Sequence, residues 1–283
     1  MGQMDLPELL KTCKTEQRAF DYLFNEVQKG KGVHCPSCGR PDYYLMNTKR
    51  LRCKKCRRDY SPFSGTPISG LKISAVSLLL LVKLFELEIS ARKASTQRDI
   101  SYPTTLKTFE IFRRSIACSL AKDDDLLKGV IEADESYFEG RRKGKRGRGA
   151  GHKTIVFGIL ERGGKVSVSI LTNVKAESLM NETVKKVRRG SIVYTDKWCG
   201  YDSLMFCGYR HLNIDHQFKF KQGKVYINGI EGFWSFAKER LMKHYGISKE
   251  KFLYYIKEME WRYNHREKVL FIDLIHIILG ADC

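Results

Sequence analysis

The sequence predicts a mixed α/β domain that follows a small cysteine-rich module and a helical segment. Two Cys-x-x-Cys pairs lie close together between residues 35 and 56. Residues 73–119 follow a helical hydrophobic pattern, and from residue 129 onward strand-like runs alternate with helical ones. A chain of 283 residues, 42% of them hydrophobic, is long enough for two or three domains with real cores.

The composition indicates a polyanionic partner. The chain has 51 Lys and Arg residues against 32 acidic ones, a net charge of +19 and a pI near 9.5. This balance is typical of proteins that bind nucleic acid or an anionic membrane. We expect no membrane association, because the apolar runs 76–87 and 269–279 are short and interrupted by polar residues. The N-terminus does not resemble a secretory signal and the nine cysteines are an odd count, which favours a reducing compartment.

Four of the cysteines have the spacing of a structural zinc site. The pattern C-x2-C-x14-C-x2-C places Cys35, Cys38, Cys53 and Cys56 in two tight turns, each of which grips one side of a tetrahedral ion. The residues between the pairs suffice for one hairpin, so the module is predicted to be a zinc ribbon at residues 31–66. A redox Cys-x-x-Cys would need a βαβ setting, which the sequence lacks here.

Basic residues surround the predicted zinc site. We expect them to contact DNA phosphates, although such a run also occurs as a solvated face. They are Lys49, Arg50, Arg52, Lys54, Lys55, Arg57 and Arg58.

The segment 70–122 is predicted to be a helix-turn-helix-like DNA-binding domain. A mostly apolar helix over 76–87 and a short polar one over 90–98 precede Ser101, an N-cap candidate, and Pro103 in the next first turn. The third helix would then present Thr104, Thr105, Lys107 and Thr108 to a groove. The alternative is a plain three-helix connector.

Residues 126–268 are predicted to form the mixed sheet flanked by helices. Strands are expected at 129–138, 153–162, 165–172, 191–195 and 211–215, and helices at 176–188, 199–206 and 229–243. This succession is similar to that of ribonuclease H-like nucleotidyl-transfer domains. Residues 1–30 are expected to form N-terminal helices, and 269–283 a C-terminal apolar helix.

Three carboxylates on different elements of this sheet are candidate metal ligands. Alternation puts Asp134 on one face of the first strand with Glu132 and Ser136, and Asp196 ends the fourth strand. Glu231 follows on a helix, with 34 residues between it and Asp196, and Lys238 lies along the same edge of that helix. Carboxylate oxygens suit Mg2+, and two such ions can act on a DNA phosphodiester. The alternative for Glu231 and Lys238 is a surface pair beside a core stripe.

Two further basic segments are candidate DNA contacts. The first is the glycine-rich loop before residue 153, and the alternative for it is a solvated insertion. Its basic residues are Arg141, Arg142, Lys143, Lys145, Arg146 and Arg148. The second lies at the end of an amphipathic helix over 248–264, where we expect Arg262 and Arg266 to touch DNA.

Several motifs in order make the chain similar to a known family. They are the zinc ribbon, Asp134-Glu-Ser-Tyr-Phe138, Tyr194-Thr-Asp-Lys-Trp-Cys-Gly-Tyr201, Ile227-Asn-Gly-Ile-Glu-Gly-Phe-Trp-Ser-Phe-Ala-Lys238 and Glu260-Trp-Arg-Tyr-Asn-His-Arg266. They resemble the ISXO-type DDE transposases of bacterial insertion sequences with an N-terminal zinc ribbon, the relatives of eukaryotic Merlin transposons.

The resemblance implies a ribonuclease H-like catalytic domain that uses two Mg2+ or Mn2+ ions. It makes Asp134, Asp196 and Glu231 the acidic triad, Lys238 its basic companion, and Asn228 an alternative third ligand. It implies binding to terminal inverted repeats and target DNA, and a homodimer or larger assembly on paired ends. We expect a cytoplasmic, nucleoid-associated location in a bacterium, or a nuclear location in a eukaryote. The alternatives are a regulator derived from a transposase and a ribonuclease H-like nuclease that cuts without joining.

Overall fold

The computed structural model of the chain describes residues 5–97, 100–138, 153–196, 207–214, 227–244 and 246–280, with the backbone alone for residues 196, 213 and 214. Its elements are α1 (Leu6–Thr12), α2 (Glu16–Lys29), β1 (Tyr43–Leu45), β2 (Leu51–Cys53), β3 (Asp59–Tyr60), α3 (Ala75–Glu86), α4 (Ala91–Thr96), α5 (Tyr102–Ala121), β4 (Val130–Phe138), β5 (Thr154–Glu161), β6 (Val166–Leu171), α6 (Ala176–Lys186), β7 (Ile192–Asp196), β8 (Arg210–Ile214), α7 (Asn228–Leu241), α8 (Lys249–Asn264) and α9 (Leu270–Leu279). The chain divides into two compact units, residues 1–122 with 267–283 and residues 123–266. None of the described helices combines the length and apolar character needed to cross a membrane.

The cysteine-rich module belongs to the first unit and forms an antiparallel sheet in the order β1-β2-β3. Strands β1 and β2 are the hairpin that the sequence predicts, and β3 adds a third strand after the second cysteine pair. Phe20 and Phe24 of α2 pack against Phe63 and Tyr43, with ring centroids 6.0 and 6.2 Å apart. Helix α2 therefore supplies the hydrophobic support that so small a sheet lacks.

The helices of the first unit begin at residues that suit helix starts. Ser101 accepts a hydrogen bond from the Thr104 N–H, as predicted for an N-cap, and Pro103 lies in the first turn of α5. Helix α9 belongs to the same unit, and the N–H of Phe271 at its start donates to Glu86 over 3.0 Å. One face of α9 is buried, so packing inside the protein accounts for the apolar character of the C-terminal run.

The second unit is built around a five-stranded sheet in the order β6-β5-β4-β7-β8. Strands β4, β5 and β6 are successive antiparallel neighbours, whereas β7 and β8 run parallel to β4. The prediction of a mixed α/β, ribonuclease H-like domain is therefore confirmed. Helix α7 begins at Asn228. The helix expected over 199–206 lies outside the described residues.

The two faces of this sheet carry separate hydrophobic cores. Ile131 and Ala133 of β4 join the core that contains Leu179 of α6. On the opposite face, Val156 and Leu160 of β5 join the core that contains residues of α7 and α8. Because successive strand residues alternate between faces, Glu132 and Asp134 lie on the α7 side of the central strand.

Side chains of α8 close the exposed edge of the sheet at β6. The Val168 N–H donates to Glu260 over 3.1 Å, and the Val168 carbonyl accepts from Lys257 over 2.7 Å. Asn264 accepts from the Val166 N–H and donates to the Val166 carbonyl, over 2.8 and 2.9 Å. These bonds satisfy the free backbone groups of an edge strand and protect it from pairing with another chain.

Candidate active site

Asp134 lies at the middle of the central strand, beside the end of β7. The parallel ladder pairs Ala133 with Thr195, so Asp134 and Asp196 are the next residues along the two strands. Neighbouring strands are about 4.8 Å apart. The backbone register therefore brings these two predicted ligand positions next to each other.

The third predicted carboxylate is carried by α7, which packs on the same face of the sheet. Glu231 is the fourth residue of this helix and is exposed, whereas Ile230, Phe233, Trp234, Ala237 and Leu241 form the predicted buried stripe. Among the described residues, no side chain forms a hydrogen bond or ion pair with the Glu231 carboxylate. A carboxylate in the first turn is favoured by the helix dipole and is open to a cation.

Trp234 connects this helix directly to Asp134. Its indole Nε1–H donates to Oδ2 of Asp134 over 3.0 Å. Trp234 is 4% exposed, and a buried indole N–H needs such an acceptor. Because Trp234 lies one turn after Glu231, the contact brings the start of α7 over the β4 position that carries Asp134.

Gly158 makes room for this contact. It is the partner of Asp134 in the β4–β5 ladder. A Cβ atom at Gly158 would lie 2.6 Å from Cζ2 of Trp234 and 2.9 Å from Cδ1 of Ile230. The Trp234 indole therefore packs directly on the backbone of Gly158, where a side chain would block it.

Lys238 places a positive charge above the far end of β4. Its Nζ lies 5.8 Å from the centroid of the Phe138 ring, the last residue of the strand. Lys238 is exposed and lies two turns beyond Glu231 on α7. The ammonium group therefore lies near the end of the strand that carries Asp134.

The carboxylates have the donor chemistry of a site for hard divalent cations. Asp134 and Glu231 both offer oxygen atoms, and residue 196 adds a third carboxylate at an adjacent backbone position. Oxygen donors without thiolates or imidazoles match the preferences of Mg2+ and Mn2+. These residues therefore fit the metal ions that the sequence predicts.

The zinc ribbon cysteines meet as predicted. The ligand atoms of Cys35, Cys38, Cys53 and Cys56 all lie within 4.8 Å of one another. Sγ of Cys35 is 3.5 Å from Sγ of Cys56, and Sγ of Cys38 is 3.5 Å from Sγ of Cys53. The N–H of Cys56 donates to Cys53 and lowers the pKa of the Cys53 thiol to about 6. Four thiols at these distances fit one tetrahedral zinc ion with no position left for water.

The two cysteine turns have the same backbone form but different residues. The Gly39 N–H donates to the Cys35 carbonyl over 2.8 Å, and the Arg57 N–H donates to the Cys53 carbonyl over 3.1 Å. Both residues have a positive φ, 70° for Gly39 and 58° for Arg57. Arg57 thus occupies a position at which glycine is the easiest choice.

Most of the basic residues predicted on the ribbon are exposed, including Lys54, Lys55, Arg57 and Arg58. Arg52 differs, because its guanidinium forms two bonds to Asp59, over 2.6 and 2.9 Å. Arg58 donates to the Ser37 hydroxyl over 2.6 Å. Within the described part of the chain, no acidic side chain forms an ion pair with Lys54, Lys55, Arg57 or Arg58, whereas Arg52 is paired with Asp59.

Three predicted DNA contacts are wrong. Thr105 and Thr108 are fully buried, and their hydroxyls donate to the carbonyls of Ser101 and Thr104 in the preceding turn. Arg262 is 4% exposed and is paired with buried Glu258 over 2.8 Å. The helical pattern did not reveal these burials, because threonine and arginine are usually exposed.

Several other residues predicted to bind DNA or metal are at least partly exposed. Lys107 is exposed and Thr104 is half-buried at the start of α5. Asn228 and Arg266 are exposed, and the Arg266 guanidinium lies 4.6 Å from the centroid of the Tyr263 ring. The basic loop residues 141–148 lie outside the described residues.

Local sequence patterns do not reveal two buried contacts near this site: the Trp234 indole donates to Asp134, and Glu132 accepts from the Ile230 N–H over 3.0 Å. Both stood within recognised patterns, Trp234 in an apolar stripe and Glu132 on the strand face of Asp134. A buried tryptophan needs a partner for its N–H, and a carboxylate in a buried strand needs a donor. Those two requirements were the signals that the sequence offered.

The chain is similar to transposase families along most of its length. Residues 126–264 match the family described as ISXO2-like transposase domain, and residues 14–59 match the transposase zinc-ribbon domain. A transposase-like protein of Haemophilus influenzae is 43% identical over 103 residues, which are 36% of this chain and 84% of that protein. A protein in transposable element ISH50 of Halobacterium salinarum is 27% identical over 278 residues, 89% of this chain and 92% of that protein.

Likeness to solved structures is weaker. The catalytic core domain of HTLV-2 integrase in complex with magnesium is 12% identical, with 49% of this chain and 88% of that chain covered and a TM-score of 0.32. The Mos1 strand transfer complex is 13% identical, with 72% and 74% covered and a TM-score of 0.31. The fold assignment therefore rests on the strand order of this chain itself.

Proposed function

Because this chain belongs to the ISXO2-like transposase family, we propose that it binds the terminal inverted repeats of an insertion sequence and catalyses DNA strand cleavage and strand transfer. One observation carries the proposal. Asp134 and Asp196 occupy adjacent backbone positions, and Trp234 ties the helix of Glu231 to Asp134 over 3.0 Å. The backbone positions of the three predicted ligands, from three distant parts of the chain, therefore lie on neighbouring elements, which supports a shared metal site.

In this proposal Asp134, Asp196 and Glu231 hold two divalent cations, Mg2+ or Mn2+. When bound, such ions neutralise phosphate charge and favour ionisation of the attacking hydroxyl. Glu231 is a suitable third ligand because it is exposed in the first turn of α7. Asn228, exposed one turn earlier, is the alternative amide ligand.

The reaction would consist of two displacements at phosphorus. In the first, water attacks the phosphodiester at the end of the element, and the bond to the 3′ oxygen breaks. The products are a free 3′-hydroxyl on the element and a 5′-phosphate on the flanking DNA. In the second, that 3′ oxygen attacks a target phosphodiester and displaces the target's own 3′ oxygen. Both steps need the same placement of carboxylates, so one site serves both.

Basic residues would bind the DNA on which this site acts. Lys238, exposed two turns beyond Glu231, would meet a phosphate near the reacting bond. We assign recognition of the ends to the ribbon cations Lys54, Lys55, Arg57 and Arg58 and to Lys107 of α5, with the loop cations of residues 141–148 as further contacts. Strand transfer at paired ends implies a homodimer or a larger assembly.

Substitution of the carboxylates tests the catalytic assignment. Asp134→Asn keeps an oxygen that accepts from Trp234 but removes the charge, so the fold should persist while cleavage is lost. Asp196→Ala and Glu231→Gln should behave alike. Asp123→Asn is the matched control. Asp123 forms a 2.8 Å ion pair with Lys165 and is not one of the proposed metal ligands.

The assay uses labelled DNA ends taken from the flanks of the reading frame, with Mg2+ or Mn2+. Equal joining by wild type and by Asp134→Asn would refute the assignment. Cleavage without joining would favour the nuclease alternative. Specific end binding by the wild type without cleavage would favour a regulator.

A further inference from the structure

We propose that Glu132 is a positioning residue for the acidic site, a buried carboxylate that fixes the first turn of α7 and therefore the place of Glu231. The inference rests on the proposed function of Glu231. Glu132 lies on β4, two residues before Asp134, and is 1% exposed. A buried carboxylate needs strong partners, and both of its oxygens have one.

One oxygen of Glu132 caps the start of α7. Oε2 accepts from the Ile230 N–H over 3.0 Å. The residue at the N-cap position of this helix is Ile227, which forms no side-chain cap bond. The first turn of a helix has N–H groups without partners inside the helix, and a carboxylate is their best acceptor. Glu132 therefore supplies, from the sheet, the capping acceptor that the N-cap residue of α7 lacks.

The other oxygen binds a cation. Oε1 accepts from Nε of Arg162 over 2.7 Å, and the Arg162 guanidinium lies 4.4 Å from the centroid of the Tyr194 ring. The Arg162 N–H donates to the Val130 carbonyl over 2.9 Å, which holds the residue at the start of β4. Arg162 thus links Glu132 to β7 through Tyr194, two residues before Asp196.

The contact between Glu132 and the helix is tight. A Cβ atom at Gly229 would lie 2.8 Å from Oε2 of Glu132 and 3.0 Å from Cδ2 of Leu160. The backbone of α7 therefore comes as close to the carboxylate as a glycine allows. Such a contact defines the helix position more sharply than apolar packing alone.

These bonds connect the carriers of all three proposed ligands. Glu132 is two residues from Asp134, and Ile230 precedes Glu231 directly. Loss of the Glu132 carboxylate should allow the first turn of α7 to shift or fray. Partners that orient metal ligands typically change metal affinity or activity about 10- to 100-fold when they are removed.

Glu260 provides a matched control for a merely structural role. Glu260 is 4% exposed. Its carboxylate accepts a hydrogen bond from the Val168 N–H over 3.1 Å and forms an ion pair with Lys257 over 2.6 Å. It lies on α8 and serves the β6 edge, not the start of α7. Glu132→Gln and Glu260→Gln therefore remove the same kind of buried carboxylate from two different places.

The experiment compares both variants in the zinc-loaded full chain by three measurements. In Glu132→Gln one amide oxygen remains, and the amide NH2 must face either Arg162 or the Ile230 N–H, both of which are donors. Amide hydrogen exchange in the first turn of α7 should then be about tenfold faster or more. Mn2+ binding is measured by electron paramagnetic resonance, and the binding that remains in Asp134→Asn is subtracted as background. The Mn2+ affinity of Glu132→Gln should be about tenfold weaker than that of the wild type. The turnover rate for DNA cleavage should fall, with little change in the DNA concentration for half-maximal rate.

Glu260→Gln should destabilise the protein without these three effects. If amide hydrogen exchange in the first turn of α7 is unchanged in Glu132→Gln, the proposed capping by Glu132 is wrong. If exchange is faster but the Mn2+ affinity equals that of the wild type, the positioning role is wrong. Equal weakening of Mn2+ binding in Glu260→Gln would also overturn the positioning role. If the wild type binds Mn2+ through Asp134 but cleaves no DNA, the proposed function fails while exchange and Mn2+ binding still decide the role of Glu132.

Discussion

The indole N–H of Trp234 donates to Oδ2 of Asp134 over 3.0 Å, although the two residues are 100 positions apart in the chain. The bond runs from the buried face of α7 to the central strand β4. It orients a carboxylate that we propose as a metal ligand, and it holds the helix that carries Glu231. Because the donor is buried and the acceptor is charged, the bond belongs to the stronger class of hydrogen bonds in proteins.

Trp234→Phe tests this orientation. Phenylalanine keeps most of the packing but has no N–H, so Asp134 loses a donor that fixes its rotamer. We expect a loss of about 1–3 kcal/mol in the free energy of unfolding and a fall of about tenfold in the cleavage rate. Trp261→Phe is the control, because Trp261 is 2% exposed on α8 and packs against His265 instead of Asp134. A control variant that loses as much activity would contradict the role of the indole N–H.

Gly158→Ala tests the close approach of α7 to the sheet. The added methyl group would meet Cζ2 and Cη2 of Trp234 at 2.6 and 2.7 Å. Since a rigid indole cannot move aside easily, we expect a destabilisation of about 1–3 kcal/mol in denaturant unfolding. Gly232→Ala on α7 has open space around its Cβ and should stabilise the protein by about 0.5–1 kcal/mol. Wild-type stability of Gly158→Ala would show that α7 can move away from β5 at no cost in free energy.

Cys38→Ser tests the zinc site. Loss of one of four thiolates opens the tetrahedral shell, so the zinc content measured by mass spectrometry should fall from one ion per chain to a small fraction. The ribbon should then lose its β1-β2-β3 pairing. Cys13→Ser should retain the metal, because Cys13 lies outside the cluster of four. Full zinc content in Cys38→Ser would exclude the proposed ligand set.

Arg57→Gly tests DNA binding by the ribbon with little strain on the fold. The positive φ of 58° suits glycine, so stability should change by less than about 1 kcal/mol. If Arg57 contacts a phosphate, affinity should fall and the slope of log affinity against log salt should decrease by about 1. Arg52→Gln should have a smaller effect on affinity, since Arg52 already pairs with Asp59 over 2.6 Å. An unchanged salt slope in Arg57→Gly would remove this residue from the interface.

The sequence by itself determined the features that depend on local spacing. The cysteine pairs predicted the cluster of four thiols, because the short spacing within each pair brings its two thiols together in one turn. Alternation and helical periodicity likewise identified the strand of Asp134, the helix of Glu231 and the buried stripe of α7. These patterns report on neighbours within a few residues, and the same short-range geometry recurs in the structure.

Only the tertiary structure decided which polar groups became partners. Glu132 and the Ile230 N–H are 98 residues apart, so no local pattern relates the carboxylate to the helix start that it caps. The burial of Thr105 and Arg262 depends in the same way on elements packed above them. A buried hydrogen bond depends on direction and on distances of a few tenths of an ångström, which only the folded arrangement of sheet and helix sets.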